Sequence, residues 1–316
     1  RMELISSGAT ARAGSGLLLR LSVDDEGARY PIVVDPIIGT EKKVVPFDPE
    51  FGGQFGYSVS IDGDTAIAGS RLDDPGGTGF LDIGSAYIFQ RDVGGTNNWG
   101  LVQKITASDA AAGDHFGVSV SISVDTVIVG AFGSGSYAGA AYVYERDVGG
   151  IDNWGEVTKL TASDGAPIDL FGVSVSIDGD RALVGARRNS DAGADSGSAY
   201  IFERDLGGVD NWGEVTKIVA SDADTDDNFG FSVSLSGDTA LIGAYSEGGS
   251  IGVSGTGSAY LYQQDLGGID NWGEVTKINA SDAASGDTYG WAVSLSGDYA
   301  IVGAYHDDDA GMSSGS

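Results

Sequence analysis

The chain has 316 residues, 41% hydrophobic and 20% charged, with 52 Gly, 6 Pro and no Cys, so it can bury a core and is neither a disordered nor a collagen-like polymer, and it has no disulfides or thiolate chemistry. Its 46 acidic residues, 36 of them Asp, against 17 Lys and Arg give a net charge of −29. That sign argues against nucleic-acid partners, and no apolar run approaches the ~18 residues of a membrane span. It favours hard cations such as calcium, because the acid is mostly Asp set in Gly-rich loops.

In chain order, the opening Arg1-Met2-Glu3 carries no signal peptide, and the tail Ser313-Ser314-Gly315-Ser316 reads as a cut within a longer chain. Apolar stretches 17–23 and 28–35 flank Asp24-Asp25-Glu26-Gly27 and predict a hairpin, so 1–40 is expected to be the end of an upstream β segment. The segment 41–48 resembles the strand and exit at 102–109.

From there a repeat takes over. Phe-Gly or Tyr-Gly recurs at Phe55-Gly56, Phe116-Gly117, Phe171-Gly172, Phe229-Gly230 and Tyr289-Gly290. Each anchor is followed by an alternating apolar stretch, a turn such as Asp62-Gly63-Asp64, and a second apolar stretch ending in Gly-Ser or Gly-Ala. After a variable loop come an Ala-Tyr strand, an Asn-Trp-Gly connection and a last strand such as 157–160. Four short antiparallel strands repeated roughly every 60 residues predict an all-β fold, a β-propeller of four-stranded blades. Complete blades are expected at 55–107, 116–162, 171–220 and 229–280, with a partial fifth at 289–316. Two closures are open: a fragment of a six- or seven-bladed parent, which is favoured, or a five-bladed ring completed by the N-terminal strands. An unclosed ring would expose sheet edges to other chains.

The Phe-Gly and Gly-Ala spacing within each unit resembles the FG-GAP repeat, the blade of the integrin α-subunit propeller and of many bacterial surface proteins. The Pro of that name is replaced by Arg71, Phe132, Arg187, Tyr245 and Tyr305. Members of the family often carry an Asp-x-Asp-x-Asp-Gly calcium loop between the first two strands. The turn here is too short for it, so calcium at that place is not implied.

The copies serve as one another's control, since a residue present in every blade is most simply structural. On that ground Asp64, Asp125, Asp180, Asp238 and Asp298 are turn residues, and Trp99, Trp154, Trp212 and Trp272 fold over the blade edge. Arg91-Asp92 and its copies brace the same hairpin. His115 fills a permissive surface slot, His306 beside an acid run is too little for a metal centre, and Trp291 reads as inner-strand packing. The loops after the second strand vary most, and the blade-linking loops carry the pairs Asp109/Asp114, Asp164/Asp169, Asp222/Asp227 and Asp282/Asp287. Both loop sets project from one face, where calcium would relieve carboxylate repulsion. The candidate ligands are Asp73, Asp74, Asp191, Asp195, Asp307, Asp308 and Asp309.

No nucleophile, base and orienting group stand out together, so the expectation is a non-enzymatic binding or structural module, extracellular or at the cell surface. Its partner would be a protein or glycan held by the variable acidic loops. The alternatives are self-assembly through open blade edges, and a polysaccharide-active or esterolytic enzyme using two loop acids such as Asp191 and Asp227.

Overall fold

Alternating Val and Ser in a run such as Phe171–Asp178 can only be satisfied as a strand with one face against apolar neighbours and the other against polar ones. A computed structural model of the protein describes residues 42–74, 81–206, 208–249, 255–308 and 314–316, and the hairpin expected at 17–35 lies outside them. The first blade is β1 (Phe55–Asp62), β2 (Thr65–Ser70), β3 (Ser85–Arg91) and β4 (Trp99–Ile105). The second is β5 (Val120–Ser123), β6 (Thr126–Ala131), β7 (Ala140–Arg146) and β8 (Trp154–Leu160). The third is β9 (Phe171–Asp178), β10 (Arg181–Ala186), β11 (Ser198–Glu203) and β12 (Gly213–Ile218). The fourth is β13 (Phe229–Ser236), β14 (Thr239–Ala244), β15 (Ser258–Gln264) and β16 (Trp272–Ile278), and the fifth holds β17 (Tyr289–Ser296) and β18 (Tyr299–Ala304). Every sheet is an antiparallel meander in sequence order. The first strands lie side by side, β1 against β5, β5 against β9, β9 against β13 and β13 against β17. The protein is a β-propeller of four-stranded blades, as the repeat predicts.

The core lies between blades rather than inside any one. Ile67, Ile88 and Ile105 of the first blade pack on Phe116, Val127, Tyr144 and Trp154 of the second. The second-to-third and third-to-fourth interfaces repeat this with Trp212 and Trp272. These tryptophans are thus wedges between blades, not covers over an outer edge.

Glycine sets the distance of approach. A Cβ on Gly185 would sit 1.9 Å from the carbonyl oxygen of Gly230 in the next blade, and Gly69, Gly130 and Gly243 meet Gly117, Gly172 and Gly290 at 2.0 Å. At that spacing serine hydroxyls bridge adjacent inner strands. The amides of Ile122, Ile177, Leu235 and Leu295 donate to Ser60, Ser121, Ser176 and Ser234 at 2.9–3.2 Å. Ser58, Ser174 and Ser232 donate to the carbonyls of Gly117, Gly230 and Gly290, each at 2.8 Å. The inner edge of each blade from the second to the fifth, which would otherwise carry unpaired amides, is capped by the preceding blade.

The end blades differ. Val59 and Ile61 of β1 are 71% and 64% exposed, and Tyr299 and Ile301 of β18 are 82% and 70% exposed. Ser316 pairs with Ala304 through both backbone bonds, the register that Ser198 takes with Ala186 in the third blade.

The glycine contact supplies its own control. Gly185→Ala forces a methyl into the Gly230 carbonyl and should cost about 3 kcal/mol in urea unfolding. Gly303→Ala, at the matching place in the fifth blade, meets nothing closer than 3.8 Å and should be neutral or slightly stabilising. Equal effects at the two sites would show that the close approach does not matter.

Candidate functional site

The Ser-Asp pair that ends each of the first three blades is held by the next blade. Asp109 accepts from Tyr142 and Lys159, both at 2.7 Å. Asp164 accepts from Tyr200 and Lys217, and Asp222 from Tyr260 and Lys277, at 2.7–2.9 Å. Asp48 does the same for Tyr87 and Lys104, so 42–48 occupies the place of a preceding fourth-strand exit, as its sequence predicts. The neighbouring serines are gripped too: Ser108, Ser163 and Ser221 donate through amide and hydroxyl to Glu156, Glu214 and Glu274.

The second acid of each linking loop has a different task. Asp114, Asp169, Asp227 and Asp287 are buried, and each accepts from the amide three residues earlier. The paired acids are therefore a clasp and a turn cap, not a bare acidic rim. Burial raises the pKa of Asp227 to about 6. At Asp48, Asp164 and Asp222 burial also opposes ionisation, but the Lys and Tyr hydrogen bonds outweigh it and hold the carboxyls below their ordinary value. At Asp109 the hydrogen bond from Lys159 is the largest cause of the same lowering.

The candidate metal ligands are dispersed through this framework. Asp73 accepts from Ser85 and pairs with Lys104, Asp74 accepts from the amides of Leu81 and Ile83, and Asp191 pairs with Lys217. Asp195 lies 4.0 Å from Arg188, Asp307 is buried, Asp308 is exposed, and Asp309 falls outside the described residues. Asp73 and Asp307 occupy one repeat position, which Ser134, Asn189 and Glu247 fill in the three blades between and where each of these accepts from its blade's lysine. The six described candidates are not brought together, and among the described residues no three His, Asp or Glu are placed to hold a metal ion. Asp191 and Asp227, the pair considered for acid–base chemistry, are a lysine partner and a sealed turn cap.

The turn acids also act beyond their turns. Asp64, Asp125 and Asp180 pair with Arg91, Arg146 and Arg204 at the end of the third strand. In that dipeptide the Asp closes the following hairpin, Asp92, Asp147 and Asp205 accepting from the amides of Asn97, Asp152 and Asp210.

What remains is a belt of rings. Two positions per blade reach the loop face, the residue two after the anchor Phe or Tyr and the residue after Gly-Ala, and they hold Phe231 and Tyr245 in the fourth blade and Trp291 and Tyr305 in the fifth. Phe231 lies 4.6 Å from both Tyr245 and Trp291, and Trp291 stacks on Tyr305 at 5.1 Å with planes 22° apart. His306 meets Tyr305 edge to face at 4.6 Å, and the Arg187 guanidinium lies 5.6 Å over Phe231. In the first blade Arg71 covers Tyr57 at 4.1 Å, and in the second His115 stacks on Phe132 at 4.7 Å. His115 is thus half-buried rather than a free surface residue, and burial lowers its pKa. Trp291, on β17, packs against Phe231 of the neighbouring first strand β13, the inner-strand packing its sequence predicts. With Tyr305, His306, Ser314 and Ser316 it lines an open cleft of about 380 Å³. The sequence held a signal for this, aromatic residues at both variable positions in two successive blades.

Comparison with known proteins follows this geometry. The FG-GAP repeat profile matches residues 39–89, 99–144, 154–202, 212–262 and 272–316. Each matched unit after the first runs from a fourth strand into the next blade's third, so it spans the clasp just described. No curated protein matches the chain in sequence. Among solved structures, Sqt1 from Chaetomium thermophilum superposes with TM-score 0.47 at 12% identity over 80% of this chain and 56% of that one. The periplasmic gluconolactonase PpgL of Pseudomonas aeruginosa superposes with TM-score 0.50 at 14% identity over 78% and 64%. The chain therefore spans less than two thirds of either.

The clasp has a pH signature. A carboxyl whose pKa is lower folded than unfolded stabilises above its unfolded value of about 3.9, and that stability disappears as pH falls through the folded value. Asp227, raised to about 6, works oppositely: its stabilisation is complete below about 3.9 and is lost as pH rises through 6. Unfolding free energy should therefore drop steeply below pH ~4. Asp109→Asn should cost about 1–2 kcal/mol at neutral pH and flatten that acid limb, while Asp227→Asn should flatten the curve between ~4 and 6. Urea titrations across pH would read both.

Proposed function

This chain belongs to the FG-GAP repeat family, and we propose that it is a non-enzymatic recognition module of a secreted or cell-surface protein, binding a partner through the loop face at its aromatic belt. The observation that carries this is where the copies differ. The repeated polar side chains are taken up in clasps, caps and bridges between blades, whereas the two belt positions change identity from blade to blade and gather their rings side by side. Half-exposed aromatic groups at a protein surface are typical recognition anchors. Among the described residues no helix is long and apolar enough to cross a membrane.

Trp291→Ala combined with Tyr245→Ala should abolish partner binding on protein and glycan arrays while shifting thermal unfolding by only a few degrees. A variant on another face, Arg146→Gln, should bind as the parent does. Retained binding in the belt variant, or turnover of a lactone or glycoside panel, would overturn the reading.

Assembly between copies is a second reading, favoured by the exposed apolar faces of β1 and β18. The ends are complementary: Ser294 and Ser296 occupy the acceptor positions of the serine bridges, and Ile61 and Gly63 the donor positions. A second copy seated head to tail would continue the blade-to-blade interface. Light scattering should then show mass rising with concentration, suppressed by Ile61→Glu; a constant monomer mass would exclude it.

A further inference from the structure

In a chain with a net charge of −29 cations are scarce, and almost all of them are committed. Among the described residues, every lysine or arginine after Lys43 lies within 4.0 Å of a carboxylate except Arg71 and Arg187. Both exceptions stand at one repeat position, directly after the Gly-Ser or Gly-Ala pair that closes a second strand, and so at the loop face. Arg71 donates from Nε to Gln54 at 2.7 Å and covers Tyr57. Arg187 has less. Its guanidinium lies 5.6 Å over Phe231, Nη1 donates to the Tyr245 hydroxyl at 3.4 Å, and Nε is buried with no hydrogen-bond partner. Asp195 faces Arg188 instead, at 4.0 Å. Burial lowers the Arg187 pKa, the mark of a guanidinium that has given up water without gaining an anion.

For the chain alone that arrangement is unfavourable, because a ring and a neutral hydroxyl do not offset the lost hydration of a full charge. A planar carboxylate set on the Nη edge would complete it with two parallel hydrogen bonds. The Tyr245 hydroxyl accepts from Nη1, which leaves its own proton to donate to the same anion. This is no chain end: the third and fourth blades that form the site each hold all four strands, and Phe231 already packs beside Arg187.

Two features select what carries the carboxylate, and both deepen the recognition reading above. Phe231, Tyr245 and Trp291 meet one another at 49–68°, so they present edges and short facets, which seat an aliphatic side chain better than the flat face of a sugar. The acidic chain repels polyanions at long range, so it admits an isolated carboxylate on a basic segment far more readily than a uronate or sulfate polymer. We infer that Arg187, with Phe231 and Tyr245, binds a single carboxylate of a protein partner, an Asp or Glu side chain flanked by apolar residues on a segment of net positive charge.

The test is a peptide array probed with the whole chain. Each heptapeptide is centred on Asp or Glu between varied apolar residues, carries Lys at both ends, and is paired with its Asn or Gln counterpart; hits are measured by calorimetry. At least one acidic member should bind about tenfold or more tighter than its amide counterpart. That exchange alters only the peptide, so it decides the matter even where a protein variant fails to fold. Arg187→Gln should bring the paired peptides to within about twofold of each other, whereas Arg187→Lys should retain part of the difference, keeping the charge but losing the planar fork. Arg146→Gln, on another face, should leave the difference unchanged. No acidic peptide bound, equal binding of the paired peptides, a carboxylate preference that survives Arg187→Gln, or tighter binding of a polyuronate or a sialylated glycan would each overturn the inference. Binding that is lost with Trp291→Ala and Tyr245→Ala together, yet never depends on a carboxylate, would sink it and leave the recognition reading standing. Absence of belt-dependent binding to any partner would sink both.

Discussion

A contact between glycines of successive blades governs how closely the blades approach. The Gly that closes each second strand faces the carbonyl of the Gly beside the next blade's anchor, with no room for a Cβ between them. Because the inner strands come so near, a serine hydroxyl spans from one to the next, and the edge that each meander after the first leaves open is capped without a fifth strand. The same approach presses the outer residues of neighbouring blades into shared apolar clusters. Blade folding and blade stacking are thus one event, since a lone blade would expose both of its apolar faces.

Acidity is built into that framework rather than spread over it. A chain with a net charge of −29 would be expected to strain against itself. Here carboxylates serve as acceptors for backbone amides, for tyrosine hydroxyls and for its few lysines. Asp109 and Asp114 show the division: the first joins one blade to the next, the second shapes the turn between them. Aspartate suits both tasks because its short side chain reaches nearby backbone with little loss of rotamer freedom.

What could be read from the sequence was whatever repeats. Phe171, Gly172 and Tyr200 announce strand, close approach and strand in the same order as in the other three complete units, so the fold is legible in the sequence. The clasps are not. Asp164 meets Lys217 across 53 residues, and only the stacking of blades brings the two together, so in the sequence the acids stand as mutually repelling carboxylates and candidate metal ligands. The serine bridges are hidden for the same reason, because the alternation Val-Ser-Val-Ser shows which residues share a face but not that the polar face meets the next blade.

The location of the belt follows from the glycine contact. Where two backbones touch, side chains are excluded, and the first positions free of that exclusion are the residue after the anchor Gly and the residue after Gly-Ala. Both reach the loop face just beyond the contact, one from each side of it, so neighbouring blades place their free positions within stacking distance. That is why Phe231, Tyr245, Trp291 and Tyr305 form one run of rings although they come from two blades and four separate places in the chain. A scaffold that fixes its backbone this tightly has freedom at few sites besides its loops, and it gathers those sites around a single mouth. Recognition there requires no departure from the repeat, only a change of side chain at positions the repeat leaves open.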